Sequence, residues 1–133
     1  MHWSHVLPVA VLAAATVLGG SAQKAASNSP GARLVLTVSQ GEQATGRVLR
    51  TVVLECDPDG GSHPRPDAAC TVLRAAQGEL SAVQAEQEVM CPMMYAPVRV
   101  EAVGDWHGRA TEFTRVYANR CVAAGETGGV FRF

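Results

Sequence analysis

The chain has 133 residues, a formal charge of −1 and only 5% aromatic residues, which is one domain's worth of material with a modest core. Near-neutral charge with no basic run excludes binding to nucleic acid through its phosphates.

The first predicted segment is a leader rather than a fold element. Val6 to Leu18 (VLPVAVLAAATVL) is an uncharged apolar run, short for a bilayer span, that ends in the small residues Gly19-Gly20-Ser21-Ala22. It reads as a signal peptide over residues 1–22, although the opening MHWSH carries no Lys or Arg. The mature protein is therefore expected to be secreted and extracellular, with no membrane attachment after cleavage. Residues 23–32 are small and polar, with Pro30 and Gly31 near their end, and are expected to form a flexible leader. The domain is expected over residues 33–133.

Leu34, Leu36 and Val38 alternate along Arg33 to Ser39 and predict a strand. Gln40 to Gly46 is a turn, and Val48 to Cys56 (VLRTVVLEC) a second strand whose alternation falters at Leu49 and Arg50, where a bulge fits. Asp57 to Pro66 (DPDGGSHPRP) is read as a loop without regular structure. Asp67 is expected to cap a short helix with Ala69, Val72, Leu73 and Ala76 on one face and Gly78 as its stop. Ser81 to Val89 shows no dominant period. Val98 to Val103 and Arg109 to Asn119 predict a hairpin turning through Gly104 to Gly108, followed by a short helical or irregular piece after Cys121. The last four residues, VFRF, are expected to add an edge strand with Phe131 and Phe133 on one face. No 30-residue crossover separates the strands except across the stretch that follows Cys56, so the sheet of this single small domain should be mainly antiparallel.

All four cysteines, Cys56, Cys70, Cys91 and Cys121, follow the leader, and an even count in an exported chain predicts two disulfides. Their gaps of 13, 20 and 29 residues do not gather a zinc cluster, and no metal or other cofactor is expected. Sequence alone allows three pairings. A bond between Cys56 and Cys70 would tie strand to helix across the Pro/Gly loop and leave Cys91 to close on Cys121.

Met90 to Pro97 (MCPMMYAP) poses the functional question. Adjacent methionines most often fill a core. Here Pro92 and Pro97 fix their own φ and push Cys91 and Ala96 toward extended backbone, so Met93, Met94 and Tyr95 are expected to run extended between them. An interior strand does not tolerate two lost donors. The remaining reading is an extended displayed loop with large apolar side chains, the form in which a protease active site accepts a peptide.

The stretch VMCPMMYAPV resembles the reactive-site loop of the Streptomyces subtilisin inhibitor family. The similarity extends to LVLTV at Leu34 to Val38, to Gly61-Ser62-His63-Pro64 after the first cysteine, to the helix after Cys70, to Asn119 two residues before the last cysteine, and to the terminal VFRF. The resemblance implies an α+β fold with a five-stranded antiparallel sheet and two short helices, disulfides between cysteines neighbouring in sequence, a homodimer, and inhibition of serine proteases of the subtilisin type. It places the reactive-site bond at Met93-Met94, Met90, Cys91 and Pro92 on the non-prime side, and Tyr95 and Ala96 with Met94 on the prime side. Val and Asp are common in the family where Met94 and Ala96 stand. If Cys91 bonds Cys121, Asn119 is expected either to lie beside the loop and hydrogen-bond its backbone or to serve as a turn residue at the strand end.

An enzyme is not expected. Ser62-His63 is the nearest nucleophile and base, but neighbours in sequence seldom face one another, and no G-x-S-x-G occurs. Asp57 and Asp59 lack the later ligands of a calcium loop. The alternative is a secreted interaction protein or cross-linking substrate with the same fold, for which Gln77, Gln84, Gln87 and Lys24 are the relevant side chains.

Overall fold

A computed structural model describes residues 29–133, together with Ala10, 13–15 and Gly19. Apart from those five positions, the expected signal peptide and residues 23–28 of the expected leader lie outside the described residues. Five strands form one antiparallel sheet in the order β3-β2-β1-β4-β5: β1 is Ala32–Gln40, β2 Val48–Cys56, β3 Gly60–Gly61, β4 Val98–Trp106 and β5 Arg109–Tyr117. Among the described residues two α-helices, α1 (Pro66–Ala75) and α2 (Arg120–Glu126), and a short 3-10 helix at Leu80–Ala82 complete the α+β fold.

Alternation decides which face is covered. Leu34, Leu36 and Val38 of β1, Val52 and Leu54 of β2, and Val98, Val100 and Ala102 of β4 are buried against Leu73 of α1, Ala123 of α2, and Leu80, Val130 and Phe131. Burying each large aliphatic side chain is worth about 1.5–3 kcal/mol. The opposite face carries Val35, which sits across from Val53 on β2 and Val103 on β4, and among the described residues no helix covers it. The β1–β2 register shifts between Val38 and Ser39, passing over Leu49, where the alternation of the sequence falters.

Both disulfides join neighbouring cysteines: Cys56 to Cys70 and Cys91 to Cys121, with Cα separations of 5.7 and 5.6 Å. On loop-closure entropy alone they contribute up to about 3 and about 3.7 kcal/mol, a large share for a small domain.

Four local expectations are corrected. The fifth strand is β3, inside the loop read as irregular, and not VFRF. Gly61, at φ 91°, approaches β2 so closely that a Cβ would lie 2.3 Å from the Val53 carbonyl oxygen, a pairing that only glycine permits. The chain end instead coils back through bonds from Val130 N–H to the Thr127 carbonyl (3.1 Å) and from Phe131 N–H to Thr127 Oγ1 (3.2 Å), which buries Val130 and Phe131. Gly104 is not a turn residue: it pairs with Leu34 within β4, where a Cβ would lie 2.0 Å from the Arg33 carbonyl oxygen. The hairpin turns on His107 and Gly108, with φ of 47° and 86°, the left-handed pair that matches strand twist. Finally, α1 begins at Pro66 with Arg65 as its N-cap residue, so Asp67 favours the first turn by charge and not by capping.

Candidate functional site

From Val83 to Pro97 the chain has no helix or strand, and within it the side chains of the predicted loop are displayed. Met93 is fully exposed at 105%, Met90 at 95%, Tyr95 at 69% and Met94 at 60%. These are large apolar groups held in water, a cost that folding alone does not explain. Met90 to Pro97 contains no charged residue.

Three elements hold the segment. The Cys91–Cys121 bridge ties its start to the first turn of α2. Asn119, between β5 and α2 and only 5% exposed, is the second. Its Nδ2 donates both protons, to the Pro92 carbonyl at 3.1 Å and the Met94 carbonyl at 2.9 Å, while Oδ1 accepts from Val122 N–H at 2.9 Å as the cap of α2. One amide thus fixes the carbonyls on either side of Met93 and starts a helix. An aspartate could do only the latter. Among the described residues no hydrogen bond engages the Met93 carbonyl itself.

The third element is backbone. Ala96 N–H donates to the Ala118 carbonyl and Gly41 N–H to the Pro97 carbonyl, both at 2.8 Å, fastening the end of the segment to the residue that follows β5 and to the β1–β2 turn. The Tyr95 hydroxyl also donates to the Glu42 carboxylate in that turn. Beneath the segment runs an apolar groove of about 500 Å³, lined in part by Leu49, Met94, Pro97, Val98 and Arg120. Neither Gly41 nor Glu42 is legible as a site residue in the sequence, because the register of a turn about 50 residues away sets them there.

The remaining chemically suggestive residues are engaged elsewhere. Ser62 Oγ accepts from Val53 N–H at 2.8 Å; His63 is buried, with Nδ1 accepting from Arg65 N–H (3.0 Å) and Nε2 donating to the Val130 carbonyl (2.8 Å). They do not face one another as nucleophile and base. Burial pushes the His63 pKa below its ordinary 6.5, which favours this neutral form. Asp59 is held below the usual carboxylate range by its hydrogen bond from Arg74, which also donates to Asp57 at 3.1 Å. Among the described residues the one group of metal-type ligands is Cys56, Asp59 and Cys70, and the disulfide consumes both sulfurs.

Comparison with known proteins agrees with this geometry. The sequence profile of the family described as subtilisin inhibitor-like matches residues 30–119, a span that includes the loop and Asn119. The chain is 49% identical over 102 residues to subtilisin inhibitor-like protein 3 of Streptomyces coelicolor, covering 75% of this chain and 95% of that one. It is 41% identical over 139 aligned positions to a subtilase-type protease inhibitor of the same organism, covering 99% and 96%. Among solved structures, Streptomyces caespitosus sermetstatin in complex with Bacillus licheniformis subtilisin contains a chain that superposes with a TM-score of 0.63 at 36% identity, covering 77% of this chain and 98% of that one. A displayed loop on this sheet, matched along most of the chain, places the protein in the subtilisin inhibitor-like family.

Proposed function

We propose that the protein is a secreted inhibitor of subtilisin-type serine proteases, acting as a substrate that is cut at Met93-Met94 and does not leave. The observation that carries the reading is the fully exposed Met93 between two carbonyls fixed by the buried Asn119. The loop is held before it meets the enzyme, so little ordering cost opposes binding. Met90, Cys91 and Pro92 meet the non-prime side of the protease cleft, Met94, Tyr95 and Ala96 the prime side, and Met93 enters the primary pocket.

The protease serine attacks the free Met93 carbonyl, the Met93-Met94 amide breaks, and Met94 leaves as a neutral amine that takes up the proton serine gave to the protease histidine, while Met93 is carried as the acyl ester. In an ordinary substrate the amine strand diffuses away. Here the hydrogen bonds on Met94, Ala96 and Pro97 hold the amine beside the ester, so religation outruns hydrolysis. A long apolar Met side chain suits an apolar pocket and not one with a carboxylate at its base. The test is titration against subtilisin and trypsin: stoichiometric inhibition of subtilisin is expected, and Met93→Lys should shift preference toward trypsin by roughly tenfold or more with unchanged melting temperature. Unchanged targets in that variant would contradict the assignment of Met93. Cross-linking through exposed glutamines would be indifferent to it.

The same reading includes a homodimer formed through the uncovered sheet face. Val53, Val35 and Val103 lie in a row there, Val103 is 55% exposed, and an apolar row that no helix among the described residues covers favours a second copy. Val35→Asp should give a monomer by sedimentation while leaving the loop intact; an unchanged mass would remove this face as the interface.

A further inference from the structure

Once Met93-Met94 is cut, the amine strand begins at Met94, and whatever retains it must act on residues 94–97. Three anchors come from Asn119, Ala118 and the Gly41 backbone. The fourth is, among the described residues, the one bond between side chains: the Tyr95 hydroxyl donates to Glu42. Tyr95 is otherwise 69% exposed, and an ionised carboxylate is the strongest acceptor a hydroxyl can find at a protein surface.

The turn that carries Glu42 is built to hold it in place. Gln40 N–H donates to the Arg47 carbonyl at 2.8 Å and Gly46 N–H to the Gln43 carbonyl at 3.0 Å. Gly46 packs so tightly that a Cβ would lie 1.9 Å from the Gln40 carbonyl oxygen, and Gly41 adopts φ 86°. The Gly41 bond to Pro97, at 2.8 Å, then sets Glu42 alongside the prime side of the loop.

We infer that Glu42 is a positioning residue for the proposed reaction: through the Tyr95 hydroxyl it holds the amine strand in place for religation. The inference rests on Met93-Met94 being the bond that is cut. Neither side chain meets the reacting atoms. In the intact protein covalent continuity restrains the strand with or without this bond, whereas in the cut protein the strand end depends on its four anchors, so losing this one loosens it. The signature is therefore the equilibrium ratio of cut to intact inhibitor, and not the melting temperature of the intact form.

The experiment incubates wild type, Tyr95→Phe, Glu42→Ala, Glu42→Gln and the Tyr95→Phe/Glu42→Ala double variant with catalytic subtilisin until the cut-to-intact ratio is constant, and quantifies both forms by mass spectrometry. Tyr95→Phe and Glu42→Ala should each raise the ratio about fivefold, the worth of one hydrogen bond, and the double variant should be no worse than either. Glu42→Gln, which keeps an acceptor, should recover most of the loss. Unchanged ratios, or single effects that multiply in the double variant, would overturn the role of Glu42 while leaving the scissile bond in place. Wild type cut elsewhere, or not inhibiting, would overturn the underlying reading and this inference together.

Discussion

Two loops of this molecule begin alike and end differently. Cys56 to Cys70 and Cys91 to Cys121 each set a proline-containing stretch beside a disulfide that reaches a helix. The first stretch is drawn into the body: β3 pairs with β2, Ser62 and His63 bond to backbone, and Arg74 clamps Asp57 and Asp59. In the second, Met93 stands wholly in water. A disulfide by itself therefore does not display a loop. What differs is where the hydrogen bonds fall: in the first they consume the loop, and in the second they brace the carbonyls around Met93 and leave its own carbonyl open.

The sharpest way to break this contrast is to remove each bridge in turn. Replacing Cys91 and Cys121 by alanine should cost up to about 3.7 kcal/mol of stability and turn the loop into an ordinary substrate, with inhibition weakened on the order of a hundredfold. Replacing Cys56 and Cys70 should cost up to about 3 kcal/mol yet leave the inhibition constant within about threefold at temperatures where the domain stays folded. Denaturant melts paired with inhibition titrations would show this division, and equal losses of inhibition would refute it. Next in size, Asn119→Ala should lose about 1 kcal/mol as a helix cap and weaken inhibition by roughly tenfold or more. Asn119→Asp keeps the acceptor for Val122 but donates nothing, so it should recover stability and not inhibition.

The smallest effect concerns the first loop alone. His63 is neutral in the fold, with its pKa pushed below 6.5 by burial, while the unfolded chain takes up a proton near that value. Its contribution is fully present above pH 6.5 and is lost as pH falls through the depressed folded value. Urea midpoints at pH 7.5 and pH 5 should diverge for wild type and converge for His63→Gln, with inhibition at pH 7.5 unchanged in both.

Much of this contrast is legible in the residues. Alternation along Leu34, Leu36 and Val38 marks the core face, and Pro92 and Pro97 exclude a strand where the loop stands. The same signals mislead where a single close approach decides the outcome. Gly61 and Gly104 read as loop and turn residues, but both lie in strands because neighbouring backbone leaves no room for a Cβ. VFRF alternates like a strand, yet Thr127 turns it inward and His63 donates to its first carbonyl. Asn119 is marked by its position before Cys121, whereas Glu42 reaches Tyr95 only through the register of β1 against β4, which no local pattern encodes.

The most direct measurement is mass analysis of the protein after prolonged incubation with catalytic subtilisin, approached from intact and from previously cut material. The account predicts one cut, between Met93 and Met94, and the same mixture of intact and cut forms from both directions, since the held strand religates. Cuts at several positions, or cut material that never regains the intact mass, would contradict it.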